Sequence, residues 1–326
     1  MSKLLFSTDT DSGTITVFDA EKDPMTQVGQ IPVGNGPRGA VRFTKDGRGF
    51  VTNHAGNTIS EIDAVSLREV ARIIVGIAPI GLAIAPGDRF AIVSNAGDNS
   101  VSIVDLRSRQ EKATIPVGRE PRHPDVTPDG KTAFVPISGS DYISMLDISE
   151  LSKDAPNFGS IHEVKRIGVG RGTMPYSAAV SPNGRIVVSA NNQQTFVTLI
   201  DALSGAILKE VDMGSKGARG TAYTPDSAIA FVSIEDTSEV VAINLTTQVV
   251  EQRFATGPGP RGLLYDAQNQ TIVVSAFSRT TTAGRPPNSA TILRLGPAPL
   301  AAGAAAPRVR DLPVGAGPCS VSMFVQ

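Results

Sequence analysis

The chain has no tryptophan, one cysteine and three histidines, and aromatic residues make up only 5% of its 326 positions. Each scarcity removes a class of function. The lone Cys319 cannot form an internal disulfide, which agrees with a reducing compartment. There is no H-x-H, no C-x-x-C and no acidic calcium loop, so no metal is expected. Basic and acidic residues number 30 and 31, for a net charge of −1. The basic ones are scattered, which argues against a nucleic-acid surface and against a polybasic membrane patch. No apolar run approaches the roughly eighteen residues of a membrane span. Neither a phosphate-cradling G-x-x-x-x-G-K nor a G-x-S-x-G elbow occurs, which sets aside nucleotide and serine-hydrolase chemistry, and no cofactor is implied. The first strand pattern starts at about Lys3, with no room before it for a leader. The expected location is therefore the cytoplasm, a trimmed secreted chain being the other reading.

What the chain does have is a repeated mark. A Gly is followed two to five residues later by Pro, once by Ala, and an apolar strand follows: VGNGPRG from Val33, VGIAPIG from Val75, VGREPRH from Val117, VGRGTMPYS from Val169, MGSKGARG from Met213, TGPGPRG from Thr256 and VGAGPCS from Val314. A period of roughly 40 to 50 residues is the signature of a solenoid or propeller. After each mark come a strand, a tight turn such as TKDG at 44–47 or TPDG at 127–130, a second strand, and a third that closes on Asp63, Asp105, Asp147, Asp201 or Asn244. A fourth strand leads to the next mark. The expected fold is all-β, a seven-bladed β-propeller with four antiparallel strands per blade, read as one domain over 1–326. Only one strand follows the last mark and three precede the first, so residues 1–33 and 316–326 together make blade 7. That arrangement removes a free sheet edge and locks the ring.

With FVTN at 50–53, IVSN at 92–95 and the recurring (I/P)-V-G-x-x-P mark, the chain resembles the YVTN-type repeat propellers over essentially its whole length. The resemblance implies the fold. Relatives of that shape include surface-layer and scaffold proteins, lactonases, carboxymuconate-type lactonising enzymes and a streptogramin lyase, so it leaves the activity open. The paired histidines and magnesium on which the lyases rely have no counterpart here.

In such a blade the start of the first strand and the end of the second share one mouth of the central channel. Immediately after the Pro or Ala stand Arg38, Ile80, Arg122, Tyr176, Arg219, Arg261 and Cys319. Four are arginine, where 21 arginines in 326 residues would place about half of one by chance. Guanidinium forks suit carboxylate or phosphate, which makes Arg38, Arg122, Tyr176, Arg219 and Arg261 candidate ligand-binding residues. Equally, arginines can staple neighbouring blades through Asp9, Glu235 or Asp236. After the second strand the residues read Asp9, His54, Ala96, Ser138, Asn191, Glu235 and Phe277. His54 and Glu235, with His123 beside Arg122, are candidate proton-transfer groups. Asn53 and Asn95 fit backbone bonding between blades, Cys319 a small filler or a nucleophile, and His162 no role. A loop at 278–290 is a candidate lid, and the Ala/Pro-rich 296–308 reads as filler.

The expected function is binding of a small carboxylate- or phosphate-bearing molecule at the arginine mouth, with metal-free acid/base chemistry of lyase, lactonase or cyclisation type in prospect. The alternative is a non-catalytic scaffold that binds a protein partner and whose arginines are internal staples.

Overall fold

The strands recur because two kinds of side-chain turn recur. Between first and second strands a hydroxyl donates to the Asp or Asn two residues on: Thr127 to Asp129 at 2.6 Å, Ser181 to Asn183 at 2.8 Å, Thr224 to Asp226 at 2.6 Å. After the third strand its terminal Asp or Asn accepts the next backbone N–H groups. Asp63 takes those of Val65 and Ser66, Asp105 those of Arg107 and Ser108, and Asn244 those of Thr246 and Thr247. These side chains mimic a backbone turn, which is why the third strands close on Asp or Asn.

A computed structural model describes residues 2–277, 288–295 and 307–326. It contains seven four-stranded antiparallel sheets, each blade meeting the next, in a closed seven-bladed propeller. Blades 1 to 6 span 37–74, 79–116, 125–168, 175–212, 218–255 and 260–313. Blade 7 joins the C-terminal strand Pro318–Val325 to Lys3–Asp9, Thr14–Asp19 and Thr26–Pro32. The junction runs from Lys3 opposite Val325 to Asp9 opposite Pro318. The buried ion pair of Lys3 Nζ with Asp266 Oδ2, 2.6 Å apart, ties it to blade 6. No helix among the described residues is long and apolar enough to cross a membrane. The candidate lid and the Ala/Pro-rich segment fall, over 278–287 and 296–306, outside the described residues.

Second strands are buried along most of their length because both faces meet a neighbouring blade. Phe6, Phe50, Phe134 and Phe231, all fully buried, occupy the same register there. Outer strands alternate, one face to solvent. The glycine of each mark has a steric cause. A Cβ on Gly34 would lie 2.4 Å from Asn53, one on Gly76 2.5 Å from Asn95, and one on Gly315 2.5 Å from Asp9.

Those contacts also correct the reading of Asp9 and Asn191. They are not mouth residues but the equivalents of Asn53 and Asn95, the last residues of the second strand. Each bonds a Ser or Thr seven residues on: Asn53 to Ser60, Asn95 to Ser102, Asn191 to Thr198, Asp9 to Thr16. Where the other three blades bury a neutral amide, blade 7 buries a carboxyl. Burial raises Asp9 to about 6, against the opposing pull of its bonds from Thr16 and Ser7.

A carboxyl with a higher pKa folded than unfolded holds its proton more tightly in the native state. Its contribution therefore favours folding at low pH and declines as pH rises from about 4 to about 6. Asp9→Asn is expected to raise the melting temperature near pH 8, by the equivalent of about 2–3 kcal/mol, and to change it little near pH 4. Calorimetry of both proteins across that range checks this, and an equal shift at both ends would assign the effect to something other than ionisation.

Candidate functional site

Most of the inner strands bulge at the register of the mouth residues. Pro79 pairs with Asn95 and Gly81 with Ser94, leaving Ile80 as the extra residue. The same shift frees Tyr176, lies between Arg38 and Arg42, and leaves Arg219 with Gly220, and Arg261 with Gly262, against one partner residue each. A bulge re-aims the side chain it carries. Its orphaned backbone groups are met by hydroxyls: Ser233 Oγ accepts from Gly220 N at 3.0 Å, and Ser275 Oγ from Gly262 N at 3.0 Å.

One position deeper the ring narrows to Gly39, Gly81, Ser177, Gly220, Gly262 and Ser320, with His123 as the exception. A Cβ on Gly262 would sit 2.0 Å from Ser320 Oγ, and one on Gly220 2.5 Å from the Arg261 carbonyl oxygen. Blade 3 departs from the pattern to make room for His123. Its inner strand shrinks to Asp125–Val126, and His123 bridges in parallel to Ser177 of blade 4 instead. The imidazole lies over Gly81, whose Cβ would be 2.6 Å from Nδ1. Its ring centroid is 5.1 Å from that of Tyr176.

Above this ring lies a cavity of about 350 Å³ lined by all four arginines together with Tyr176, Ser138, Met174, Asn192 and Phe277. The five residues predicted as ligand-binding are thus brought together. Ile80 and Cys319, at the same register, are buried in the wall and do not line it.

The arginines divide into two pairs. Glu235 lies between Arg219 and Arg261: Oε2 accepts from Arg219 Nε, and Oε1 from Arg261 Nε at 3.0 Å. Arg261 also stacks on Phe277, 3.5 Å from the centroid. Arg122 and Arg219 flank Tyr176, at 5.1 and 4.5 Å from its ring centroid. Arg122 reaches only Glu120, at 3.2 Å, a carboxylate whose side chain is half exposed, and its Nε is buried with no hydrogen-bond partner. Arg38 has no carboxylate within ion-pair distance among the described residues. Of the other staples expected, Asp9 lies in blade 7's own hydrogen-bond network, and exposed Asp236 makes no ion pair with the ring.

His54 stands half-buried next to blade 2, with Nδ1 buried and unpartnered. Burial, then the charges of Arg38 and Arg122, hold its pKa below the usual histidine value, while the Ala78 and Pro79 backbone opposes them. His123 is pushed down to about 3 by burial and by Arg122, Arg42, Arg38 and Arg219. Both imidazoles are therefore neutral at physiological pH. His162, expected on an inserted connection, is instead the exposed first residue of the outer strand His162–Gly168, opposite Asp147, its Nδ1 2.7 Å from the Ser160 carbonyl oxygen. Among the described residues no cluster of His, Cys, Asp or Glu could hold a metal ion.

Two lining residues escaped sequence reasoning. Asn192 follows the true end of its strand, and the recurring bond from Asn to a Ser or Thr seven residues later was the signal that could have set that register. Met174 precedes the Pro and carried no signal.

Fold and pocket together define a propeller with a basic axial pocket. The chain belongs to the YNCE-like beta-propeller family, whose model matches residues 85–304. No curated protein matches it. Solved structures that it resembles include the hydrazine synthase of Kuenenia stuttgartiensis, at 22% identity and a TM-score of 0.71 over 88% of this chain and 90% of that one. Another is the periplasmic gluconolactonase of Pseudomonas aeruginosa, at 16% identity and 0.79 over 99% of both. A third is a candidate 6-phosphogluconolactonase of Bacteroides uniformis, at 14% identity and 0.78, also over 99% of both. At these identities the likeness speaks for the fold.

Removing Glu235 leaves two guanidiniums facing each other across a mostly buried gap. Glu235→Ala is expected to cost about 2–4 kcal/mol of stability, whereas Arg38→Ala changes it by less than about 0.5 kcal/mol. The midpoints of urea unfolding test the contrast, and equal losses would show that Arg38 is also internally paired.

Proposed function

We propose that the protein binds a small carboxylate- or phosphate-bearing molecule at the axial mouth, with Arg38 and Arg122 as the anion-binding forks. The observation that carries this reading is the uncompensated charge of Arg38 beside the orphaned Nε of Arg122, on the wall of a cavity large enough for a small ligand. A buried donor with no partner costs free energy that an incoming acceptor recovers. Arg219 and Arg261, held by Glu235, give the seat a fixed shape and add to its positive field.

The lactonase names among the resembling structures support a hydrolytic use of the same seat. In that use water adds to a lactone carbonyl, the arginines stabilise the oxyanion, and the ring C–O bond then breaks. The water's proton passes to a base, and the departing oxygen takes one back. His54 is neutral but does not line the mouth cavity, so it would take that proton only through an intervening water, while His123, with a pKa near 3, fits hydrogen bonding to the ligand better than proton uptake. Glu235, engaged on both oxygens, fits positioning of the two arginines.

The ion-paired half of the ring favours the rival scaffold reading, and one experiment separates the two. In low salt, mono- and dicarboxylates and inorganic phosphate are screened for a rise in melting temperature. At a hundred times its dissociation constant a ligand adds about 2.7 kcal/mol, a few degrees for a chain of this size. A defined anion is expected to stabilise the wild type, and the double variant Arg38→Ala/Arg122→Ala to lose that response while keeping its own melting point. No response from the wild type to any anion would turn the assignment to the scaffold.

A further inference from the structure

The arginine mouth is one end of a longer passage. Beneath the small-residue ring the channel widens into a second chamber of about 780 Å³, which shares Tyr176, Arg219 and Arg261 with the mouth. It extends to the opposite face, where Lys3, Gln268 and Val325 stand at its rim. Lys3 and Asp266 neutralise each other there. Asp125, on the wall, turns both carboxylate oxygens to backbone, accepting from Val126 N at 3.0 Å and Val180 N at 2.9 Å. Arg42 differs from both. It lines the chamber, its charge is felt by His123 and Asp125, and it has no hydrogen bond or ion pair among the described residues. Two hydroxyls on the same walls, Thr221 Oγ1 and Ser322 Oγ, are buried without partners.

Arg38 and Arg42 stand on one strand, Pro37–Phe43. Four residues of extended chain span at most about 13 Å, and because the bulge sets them against Thr52 and Phe50, the ladder advances by only about 7 Å. Between them lies the ring of Gly39, Ser177, Gly220, Gly262 and Ser320 with the His123 imidazole, all of which line the chamber.

We propose that the ligand is an elongated dianion that threads this ring, one anionic end on Arg38 and Arg122 and the other on Arg42. The inference rests on the mouth as an anion seat and adds the length and second charge of its occupant. Thr221 and Ser322 donate to the distal end, and Leu263 and Met323 pack against the spacer.

Calorimetric titration at constant low ionic strength tests it with a series of straight-chain α,ω-dicarboxylates and the matching monocarboxylates. Chains of roughly six to ten carbons, whose carboxylates lie about 7–12 Å apart when extended, are expected to bind about tenfold more tightly than malonate, which has the same charge but cannot span. Arg42→Gln is expected to reduce the long dianions to the affinity of monocarboxylates and to leave the monocarboxylates unchanged. If monocarboxylates bind, yet neither chain length nor Arg42→Gln alters affinity, the dianion assignment falls and the mouth reading stands. If no carboxylate binds, the dianion assignment falls, and the mouth reading falls with it when inorganic phosphate also fails to bind. The length series on the wild type decides the matter even if the variant does not fold.

Discussion

The pairing of Pro318–Val325 with Lys3–Asp9 is the contact on which the other features rest. A stack of blades has two open faces and no axis. Once the last strand bonds to the first, each blade has two neighbours and the inner strands converge on a centre. Convergence then sets the chemistry of the inner strands: side chains there must be small where backbones meet, which accounts for Gly220 and Gly262, or must turn along the axis, which accounts for the bulged arginines. The buried ion pair of Lys3 with Asp266 and the buried carboxyl of Asp9 both lie in or beside this closing blade, so its stability carries a charge dependence that the blades with Asn in place of Asp9 lack.

Like charges gathered at the mouth would repel, and the fold answers in two ways. Glu235 couples Arg219 to Arg261, while Tyr176 and Phe277 offer ring faces to guanidiniums. Arg38, Arg122 and Arg42 keep charge or donors unspent. Paired and unpaired arginines are therefore parts of one ring: the neutralised pair holds the geometry in which the unneutralised ones stand. Burial depresses both histidines and the same field adds to it, since a proton added to His54 or His123 would join an already positive site.

Blade number, strand order, terminal closure and the mouth arginines were legible in the residues because each repeat states them again. Single-copy features were not. Asp9 and Asn191 stand at the ends of their strands and not one residue beyond, since a strand end is ambiguous until its partner is known, and that one-residue shift hides Asn192. Arg42 carried no signal, because an exposed arginine on an alternating strand is ordinary, and only the closed ring places it on the chamber wall. Glu235 was recognised as a charged neighbour of the ring, but its place between two particular arginines depends on how blades 5 and 6 abut.

By itself, then, the sequence determined the local periodicities: hydroxyl and Asx turns, alternating strands, and glycines where no Cβ fits. These are decided within a few residues of chain, so the chain alone suffices to state them. Tertiary structure decided which charges are spent and which remain. That depends on distances between residues of different blades, here 26 positions apart for Arg261 and Glu235. Such distances exist only once the ring has closed and the arginines share the walls of one cavity.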